Sequence, residues 1–226
     1  MRSRPVIQLL NLSLDTSDTW TGKLQGLALK NIAVTVRDNE TYNEVFHDFG
    51  ELLFTHFGVS GPVILSASSH MKNMNPNRYS IEIDLKPALT EEKLDARILR
   101  DFAENANKSI ANALVKLLPH KLIPVIVRLS SIPSDLKVNQ ITKEMRQDLV
   151  YLLKHFTVNV FGFRPIDEAI VTSGGVSVKE INPKNMQSTL CDNLYFAGEV
   201  IDVDAYTGGF NLQIAFSTGV LAGKSV

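Results

Sequence analysis

The chain has 226 residues, of which 44% are hydrophobic and 21% charged, and this is enough to bury a substantial core in one or two domains. Its formal net charge of −1 excludes a basic field for nucleic acid or an anionic membrane, and no apolar run approaches the length of a bilayer span. The single cysteine, Cys191, excludes an internal disulfide framework, and the start of the sequence has no signal-peptide pattern, so we predict a cytoplasmic protein with neither a nucleic-acid nor a membrane partner.

Residues 1–88 show the signals of a small β-rich domain. Apolar and polar residues alternate at 32–36 and again at 79–85, as they do in half-buried strands. Gly50 stands between two further strand-like stretches and predicts a hairpin turn there. Pro62, which follows a serine able to cap a helix, predicts one short helix. We therefore expect a barrel-like or sandwich-like domain interrupted by a single helix.

Residues 89–156 change to helical patterns. Thr90 is followed by two glutamates, a typical capped start, and apolar residues then recur at helical spacing. Further helices are predicted at 109–118, at 122–129 with its proline confined to the first turn, and at 142–155. This segment is predicted to be a small helical subdomain that covers the β domain and carries no chemistry of its own.

The remaining residues, 157–226, return to strand patterns. Strands are predicted at 157–161 and at 169–172. The apolar run Leu194–Ala197 also has the length and composition of a buried strand. We expect these three strands to lie in or near one sheet.

The turn that follows Ala197 carries the strongest functional signal. Gly198 is followed by an acidic loop with Glu199 and Asp202, and the glycine pair 208–209 then enters a helix with an apolar face. Glycine permits positive φ and close approach of a ligand, and a helix start offers unpaired N–H groups and a partial positive charge. The pattern predicts a nucleotide-cofactor or phosphate site; the alternative is a tight strand–helix turn that binds nothing.

Three stretches, taken together, resemble one protein family. They are Gly50–Pro62, Ala169–Val176, and Leu194–Glu199 continued by Gly208–Gln213. In this order they are similar to segments of bacterial BaiN/YhiN-like NAD(P)/FAD-dependent oxidoreductases. The resemblance covers most of the chain.

The resemblance implies a mixed α+β and α/β fold with three parts. These are a barrel-like β-rich insert domain at 1–88, a helical subdomain at 89–156, and the C-terminal part of a split FAD-binding α/β domain at 157–226. Members of that family begin with a G-x-G-x-x-G strand–turn–helix that holds the FAD pyrophosphate, and this sequence contains no such motif. We therefore interpret the chain as a C-terminal portion of such an enzyme, and whether the shortening is natural or engineered stays open.

The resemblance also implies which residues contact FAD. Gly198, Glu199 and Asp202 would lie beside the ribityl chain and pyrophosphate, and the helix start would edge the isoalloxazine ring, where N–H groups stabilise the charge of the reduced ring. The complete implied set is Thr172, Gly174, Gly175, Gly198, Glu199, Asp202, Gly208, Gly209, Phe210, Asn211, Leu212 and Gln213. The family often has glycine where this chain has Ala205, so a positive φ at that position would strain the loop.

His56 is the candidate catalytic residue. It could donate a proton on the substrate side of the flavin, since histidine titrates near neutrality, or it could be a structural histidine that bonds the next turn. No metal site is predicted, because the five histidines show neither i,i+4 pairs nor a neighbouring cysteine cluster. NAD(P)H as the electron donor rests on the resemblance alone, and the sequence does not indicate which small-molecule substrate is used.

Two functions are therefore expected to compete. The first is that of the C-terminal portion of an FAD-dependent oxidoreductase, which contributes the ring and ribityl contacts and the substrate-side insert domain. The second is a non-enzymatic recognition or assembly module that binds no flavin on its own. An exposed sheet edge would also favour self-association.

Overall fold

The computed structural model describes residues 8–9, 11–15 and 20–226. Within these ranges the strands are β1 Gln8–Leu9, β2 Leu12–Leu14, β3 Ala28–Asp38, β4 Glu44–Phe54, β5 Gly58–Ser60, β6 Tyr79–Asp84, β7 Phe156–Phe163 and β8 Val171–Thr172. The α-helices are α1 Pro62–Ser68, α2 Glu91–Glu104, α3 Ile110–Ala113, α4 Ile123–Leu129, α5 Lys143–Lys154 and α6 Phe210–Gly223. Short 3-10 turns connect several of them.

Six of the strands close into an antiparallel barrel in the order β2-β5-β4-β3-β6-β7, with β2 paired to both β5 and β7. The barrel forms because long strands alternate buried with more exposed side chains, most regularly along β6. Val34, Phe54, Ile81 and Val158 are fully buried in its core. The barrel-like insert expected from the sequence is confirmed.

The predicted hairpin at Gly50 is wrong. β4 continues through this position, and Gly50 pairs with Ile32 of the neighbouring strand β3. The turn lies instead between β3 and β4, where the Asp38 carboxylate accepts hydrogen bonds from the N–H groups of Glu40 and Thr41. Because β3 offers a partner along most of the length of β4, the glycine is held in the ladder and does not break it.

β7 has a different position from the one predicted for 157–161. It lies between β6 and β2 and closes the barrel, so it does not join the sheet expected for the last segment. β8 forms a separate two-stranded sheet with β1. The barrel is therefore completed by a strand from beyond the helical subdomain. Without β7, one edge of β6 would have no hydrogen-bond partner.

The helical subdomain forms largely as predicted. The Thr90 Oγ1 accepts a hydrogen bond from the Lys93 N–H at 3.4 Å and caps α2, and Thr142 caps α5 in the same way. The short α1 begins after Gly61, and its predicted serine cap, Ser60, makes no capping bond. Buried residues of the helices belong to the same hydrophobic core as the barrel. The subdomain thus packs onto the barrel as part of one core.

The last segment is held by a smaller hydrophobic cluster. It contains Val176, Ile181, Met186, Ile201 and Ala222. The predicted buried strand at 194–197 is wrong: only Tyr195 forms a bridge, to Gln187, and Leu194 is 41% exposed. In the described part of the chain no neighbouring strand runs along this stretch, so its apolar pattern has no sheet to join.

α6 is confirmed as a helix, but its predicted core face is largely exposed. Leu212 and Phe216 are 61% and 68% exposed, because in the described part of the chain no sheet lies against them. An apolar helix of this kind is ordinarily buried. Among the described residues, no helix is both long enough and apolar enough to cross a membrane.

Candidate functional site

Two glycine-containing loops lie side by side at one edge of the last segment. The Val176 N–H donates to the Val200 carbonyl at 2.8 Å, and the Asp202 N–H donates to the Val176 carbonyl at 2.9 Å. At Gly175, which has a φ of +138°, a Cβ would lie 2.3 Å from the Val200 oxygen, so only glycine fits. The structure therefore brings the two predicted loops, 172–175 and 198–202, together.

Within these loops the predicted residues have different surroundings. Thr172 is exposed and pairs with Gln8 in the β1–β8 ladder. Glu199 is exposed in the 3-10 turn Gly198–Val200. The Gly198 N–H donates to the Thr218 hydroxyl of α6 at 3.0 Å, which fixes this turn against the middle of the helix.

The bend into α6 is open. Gly208 and Gly209 have φ of +115° and +91°, and a Cβ on Gly209 would meet no atom within 4 Å. The first main-chain hydrogen bond of the helix runs from the Gln213 N–H to the Gly209 carbonyl at 3.0 Å. The N–H groups of residues 210–212 therefore lack a main-chain partner in the described part of the chain. They are available to a ligand that carries an electron-rich oxygen.

The side chain of Asn211 shapes the loop that precedes this bend. Its Nδ2 donates to the Ala205 carbonyl and its Oδ1 accepts from the Ala205 N–H, both at 2.8 Å. Ala205 is not among the residues with positive φ, so alanine is accommodated without the strain considered from the sequence. Asn211 therefore combines an open main-chain N–H with a side chain that positions the loop.

A groove of about 1210 Å³ separates this loop from one end of the barrel. Its volume is sufficient for a flavin ring and a small substrate side by side. The barrel wall consists of the end of β3, the start of β4 and the chain that follows α1. The opposite wall consists of the loop and the first turns of α6. The lining includes Asp38, Val45, His70, Lys72, Arg78, Tyr79, Asp204, Tyr206, Phe210, Gln213 and Ile214.

An ion pair forms the floor of the groove. The Arg78 guanidinium donates to the Asp38 carboxylate at 2.9 Å and 3.3 Å. This hydrogen bond lowers the pKa of Asp38, and the carboxylate raises the pKa of Arg78. The positive charge of Arg78 is thus balanced by the Asp38 carboxylate, whereas the exposed Lys72 ammonium has no ionic partner among the described residues.

His70 and Tyr206 meet across the groove. The His70 Nε2 lies 3.3 Å from the Tyr206 hydroxyl, and the imidazole also packs against Phe46 with ring centroids 5.2 Å apart. Neither residue was predicted from the sequence as a site residue. They are 136 positions apart, so no local motif connects them, and only the docking of the last segment on the barrel brings them together.

His56 lies elsewhere. It follows β4 at the hairpin with β5, where its ring stands edge-on to Phe57 with centroids 4.9 Å apart. β4 is 11 residues long and its other end borders the groove at Val45, so His56 is roughly 30 Å from that end. The pKa of Glu168 is lowered mainly by its hydrogen bond from Arg164 and also by His56. The catalytic role of His56 stays a prediction.

Comparisons with known proteins identify the family of the barrel and of the helices that pack on it. A family profile described as HI0933-like protein barrel and H2TH domain matches residues 8–171. The chain is 30% identical over 222 residues to the ribosomal RNA dihydrouridine synthase of Haemophilus influenzae. The aligned residues make up 98% of this chain and 52% of that protein.

Two further relatives are similar at the same level. A ribosomal RNA dihydrouridine synthase of Escherichia coli is 31% identical over 195 residues, or 86% of this chain and 45% of the relative. A 3-dehydro-bile acid delta(4,6)-reductase of Clostridium scindens is 28% identical over 180 residues, or 79% and 44%. The chain spans about half the length of the curated relatives it matches.

Proposed function

Because the chain belongs to the HI0933-like family, the BaiN/YhiN-like flavoprotein oxidoreductases, we propose that it supplies the flavin-ring contacts and the substrate-side domain of an FAD-dependent oxidoreductase. The resemblance found in the sequence is thereby confirmed at the level of the family. The observation that carries the proposal is the start of α6, where the N–H groups of residues 210–212 lack a main-chain partner in the described part of the chain and Phe210 lines a large groove.

The residues at this edge suit the ring end of FAD. The dipole of α6 and its open N–H groups would stabilise negative charge on the reduced ring. The glycines at 208 and 209 leave room for a flat ligand against the main chain. Gly198, Glu199 and Asp202 would lie along the ribityl chain, with the loop at Thr172–Gly175 beside them. When bound, the flavin supplies the hydride chemistry.

The pyrophosphate end of FAD requires further contacts. The sequence contains no G-x-G-x-x-G, which is the usual cradle for a dinucleotide. We propose that a dinucleotide-binding half completes the site and covers the exposed apolar side chains of α6, such as Leu212 and Phe216. We expect the 226-residue chain alone to bind FAD weakly and to be colourless after gel filtration.

The proposed reaction class is reduction of a conjugated double bond. The names of the relatives describe such reductions, one of uridine in ribosomal RNA and one of a bile acid. The sequence predicts a small-molecule substrate, and we retain this as the first proposal. NAD(P)H as the electron donor is also a proposal, because no residue in this chain specifies it.

The flavin site is tested by titrating the chain with FAD and following its backbone amide signals by NMR. We expect shifts at residues 208–213 and in the loops 172–175 and 198–202, since these N–H groups are open or border the proposed ring. ADP, which lacks the ring, is the control and should leave 208–213 unchanged. The absence of shifts at all of these amides would favour the non-enzymatic module considered from the sequence.

An uneven charge distribution favours a second candidate, an RNA substrate. Residues 106–143 of the helical subdomain carry six basic residues against the single acid Asp135, although the whole chain is nearly neutral; the six are Lys108, Lys116, Lys121, Arg128, Lys137 and Lys143. All six are exposed, but Lys116 is paired with Glu104 at 3.2 Å. The other five make no ion pair among the described residues and would contact phosphates, and this binding would weaken with salt. Binding of a short ribosomal RNA hairpin that disappears in K108E/R128E, while FAD-induced shifts persist, would favour this candidate over a small-molecule substrate.

A further inference from the structure

The groove places a tyrosine hydroxyl next to the predicted ring site. Tyr206 lies three residues before Gly209, so its Cα is within about 11 Å of the start of α6. Its ring is 50% exposed, and Phe210, which is 60% exposed, lines the same wall. Two aromatic side chains thus border the space in front of the helix start, and aromatic faces favour a planar ligand.

His70 controls which way the tyrosine hydroxyl can point. The two polar atoms are 3.3 Å apart, and the exposed imidazole contacts the rings of Phe46 and Tyr206, with centroids 5.2 Å and 6.1 Å from its own. When His70 Nε2 carries a hydrogen, it donates to the Tyr206 oxygen. The tyrosine O–H is then free to donate to a ligand in the groove.

The other cationic and phenolic donors that line the groove, among the described residues, are already bound or lie on the opposite wall. Arg78 is bound to Asp38 and to the Asn73 carbonyl, and Tyr79 is buried and donates to the Lys72 carbonyl at 2.6 Å. Lys72 makes no ion pair among the described residues, but it belongs to the barrel wall and not to the aromatic wall formed by Tyr206 and Phe210. The Tyr206 hydroxyl is therefore the donor best placed beside the aromatic wall.

We propose that His70 and Tyr206 form a substrate-binding pair in which the Tyr206 hydroxyl donates a hydrogen bond to a ring carbonyl oxygen that is conjugated with a carbon–carbon double bond. His70 is a positioning residue that orients the hydroxyl. The inference rests on the proposed function, since it places the ring in front of the flavin edge. The same chemistry is present in a pyrimidine and in a steroid enone, and the experiment distinguishes these sources.

The test measures the dissociation constants of two probes, uridine 5′-monophosphate and testosterone, by ligand-observed NMR with and without saturating FAD. Tyr206→Phe keeps the aromatic wall and removes the donor, and we expect the preferred probe to bind about fivefold more weakly. His70→Ala should have a similar effect. His70→Gln, which can still donate to the tyrosine oxygen, should restore part of the affinity.

Tyr151→Phe is the matched control. Tyr151 is also exposed and also stacks on a histidine, His155, with centroids 4.5 Å apart, but it lies on α5 outside the groove. Its loss should leave both dissociation constants unchanged. Thermal unfolding of each variant shows whether the loop remains folded.

Two results would overturn the inference. One is equal affinity of wild type and Tyr206→Phe for the bound probe, which would leave the pair as a structural contact between the barrel and the last segment. The other is the absence of binding of either probe under both conditions. FAD-induced shifts at 208–213 report the flavin site separately, so these results do not decide the proposed function.

Discussion

Asn211 and Ala205 exchange two hydrogen bonds, both 2.8 Å long, between the side-chain amide of Asn211 and the main-chain N–H and C=O of Ala205. The amide takes the place of a neighbouring strand and holds the loop that carries Tyr206. The main-chain N–H of Asn211 meanwhile stays open at the helix start. One residue therefore connects the shape of the groove wall to the proposed flavin edge.

Removal of the two hydrogen bonds between Asn211 and Ala205 should reduce flavin binding more than it reduces the stability of the fold. Asn211→Ala loses two hydrogen bonds, and we expect the free energy of unfolding to fall by about 1–2 kcal/mol. The FAD-induced amide shifts should also become smaller, because the loop is no longer held. Urea unfolding and the NMR titration measure the two effects.

Asn112→Ala is the control for this variant. Asn112 is exposed in the helical subdomain, and its amide donates to the Ser109 hydroxyl at 3.1 Å. Its removal should leave flavin binding unchanged. Equal FAD-induced shifts in wild type and Asn211→Ala would show that the two hydrogen bonds to Ala205 have no part in flavin binding.

The contact between the two glycine loops should not tolerate a methyl group. In Gly175→Ala the added carbon would lie 2.3 Å from the Val200 carbonyl oxygen, at a φ of +138°. We expect a loss of about 2–4 kcal/mol from overpacking and backbone strain. Gly162→Ala, where nothing lies within 4 Å, should change stability by only about 0.5 kcal/mol. A Gly175→Ala variant as stable as Gly162→Ala would contradict the observed packing.

The ion pair between Arg78 and Asp38 in the groove should make the stability of the fold depend on pH. Arg78 holds the pKa of Asp38 below its ordinary value of 3.8, so this pair stabilises the fold above that pH. The contribution decreases as the pH falls from the ordinary pKa through the lower pKa of the folded state. Asp38→Asn should therefore unfold at a lower temperature than wild type at neutral pH, and the difference should narrow below about pH 4.

A comparison variant tests whether this effect belongs to the ion pair. Asp48 is exposed, and its carboxylate accepts a hydrogen bond from the N–H of Phe49. Asp48→Asn should follow the wild-type profile of unfolding temperature against pH. A constant difference between Asp38→Asn and wild type from pH 7 to pH 3 would argue against the pair.

The apolar surface of α6 should govern self-association. The closed barrel leaves no free edge in its own sheet, so the sheet edge expected from the sequence is a weaker candidate than this helix. Phe216→Ser removes a side chain that is 68% exposed and should lower the mass seen by light scattering. Phe161→Ser removes one that is 53% exposed on β7 and should not. Equal masses for both variants would exclude α6 as the contact.

The sequence by itself determined several local elements. Residue alternation at 79–84 specified a strand, Thr90 and Thr142 specified helix starts, and the pair 208–209 specified a bend with positive φ. These outcomes depend on the conformational preferences of a few adjacent residues. Similar local strings also carried the family resemblance.

Tertiary structure decided which elements became neighbours. It placed β7 in the barrel, left 194–197 without a strand partner, and brought His70 to Tyr206 across 136 positions. A strand forms only where another strand offers hydrogen bonds, and a side-chain pair forms only where two surfaces dock. The groove and its polar pair therefore belong to the folded chain, because neither exists in any one stretch of the sequence.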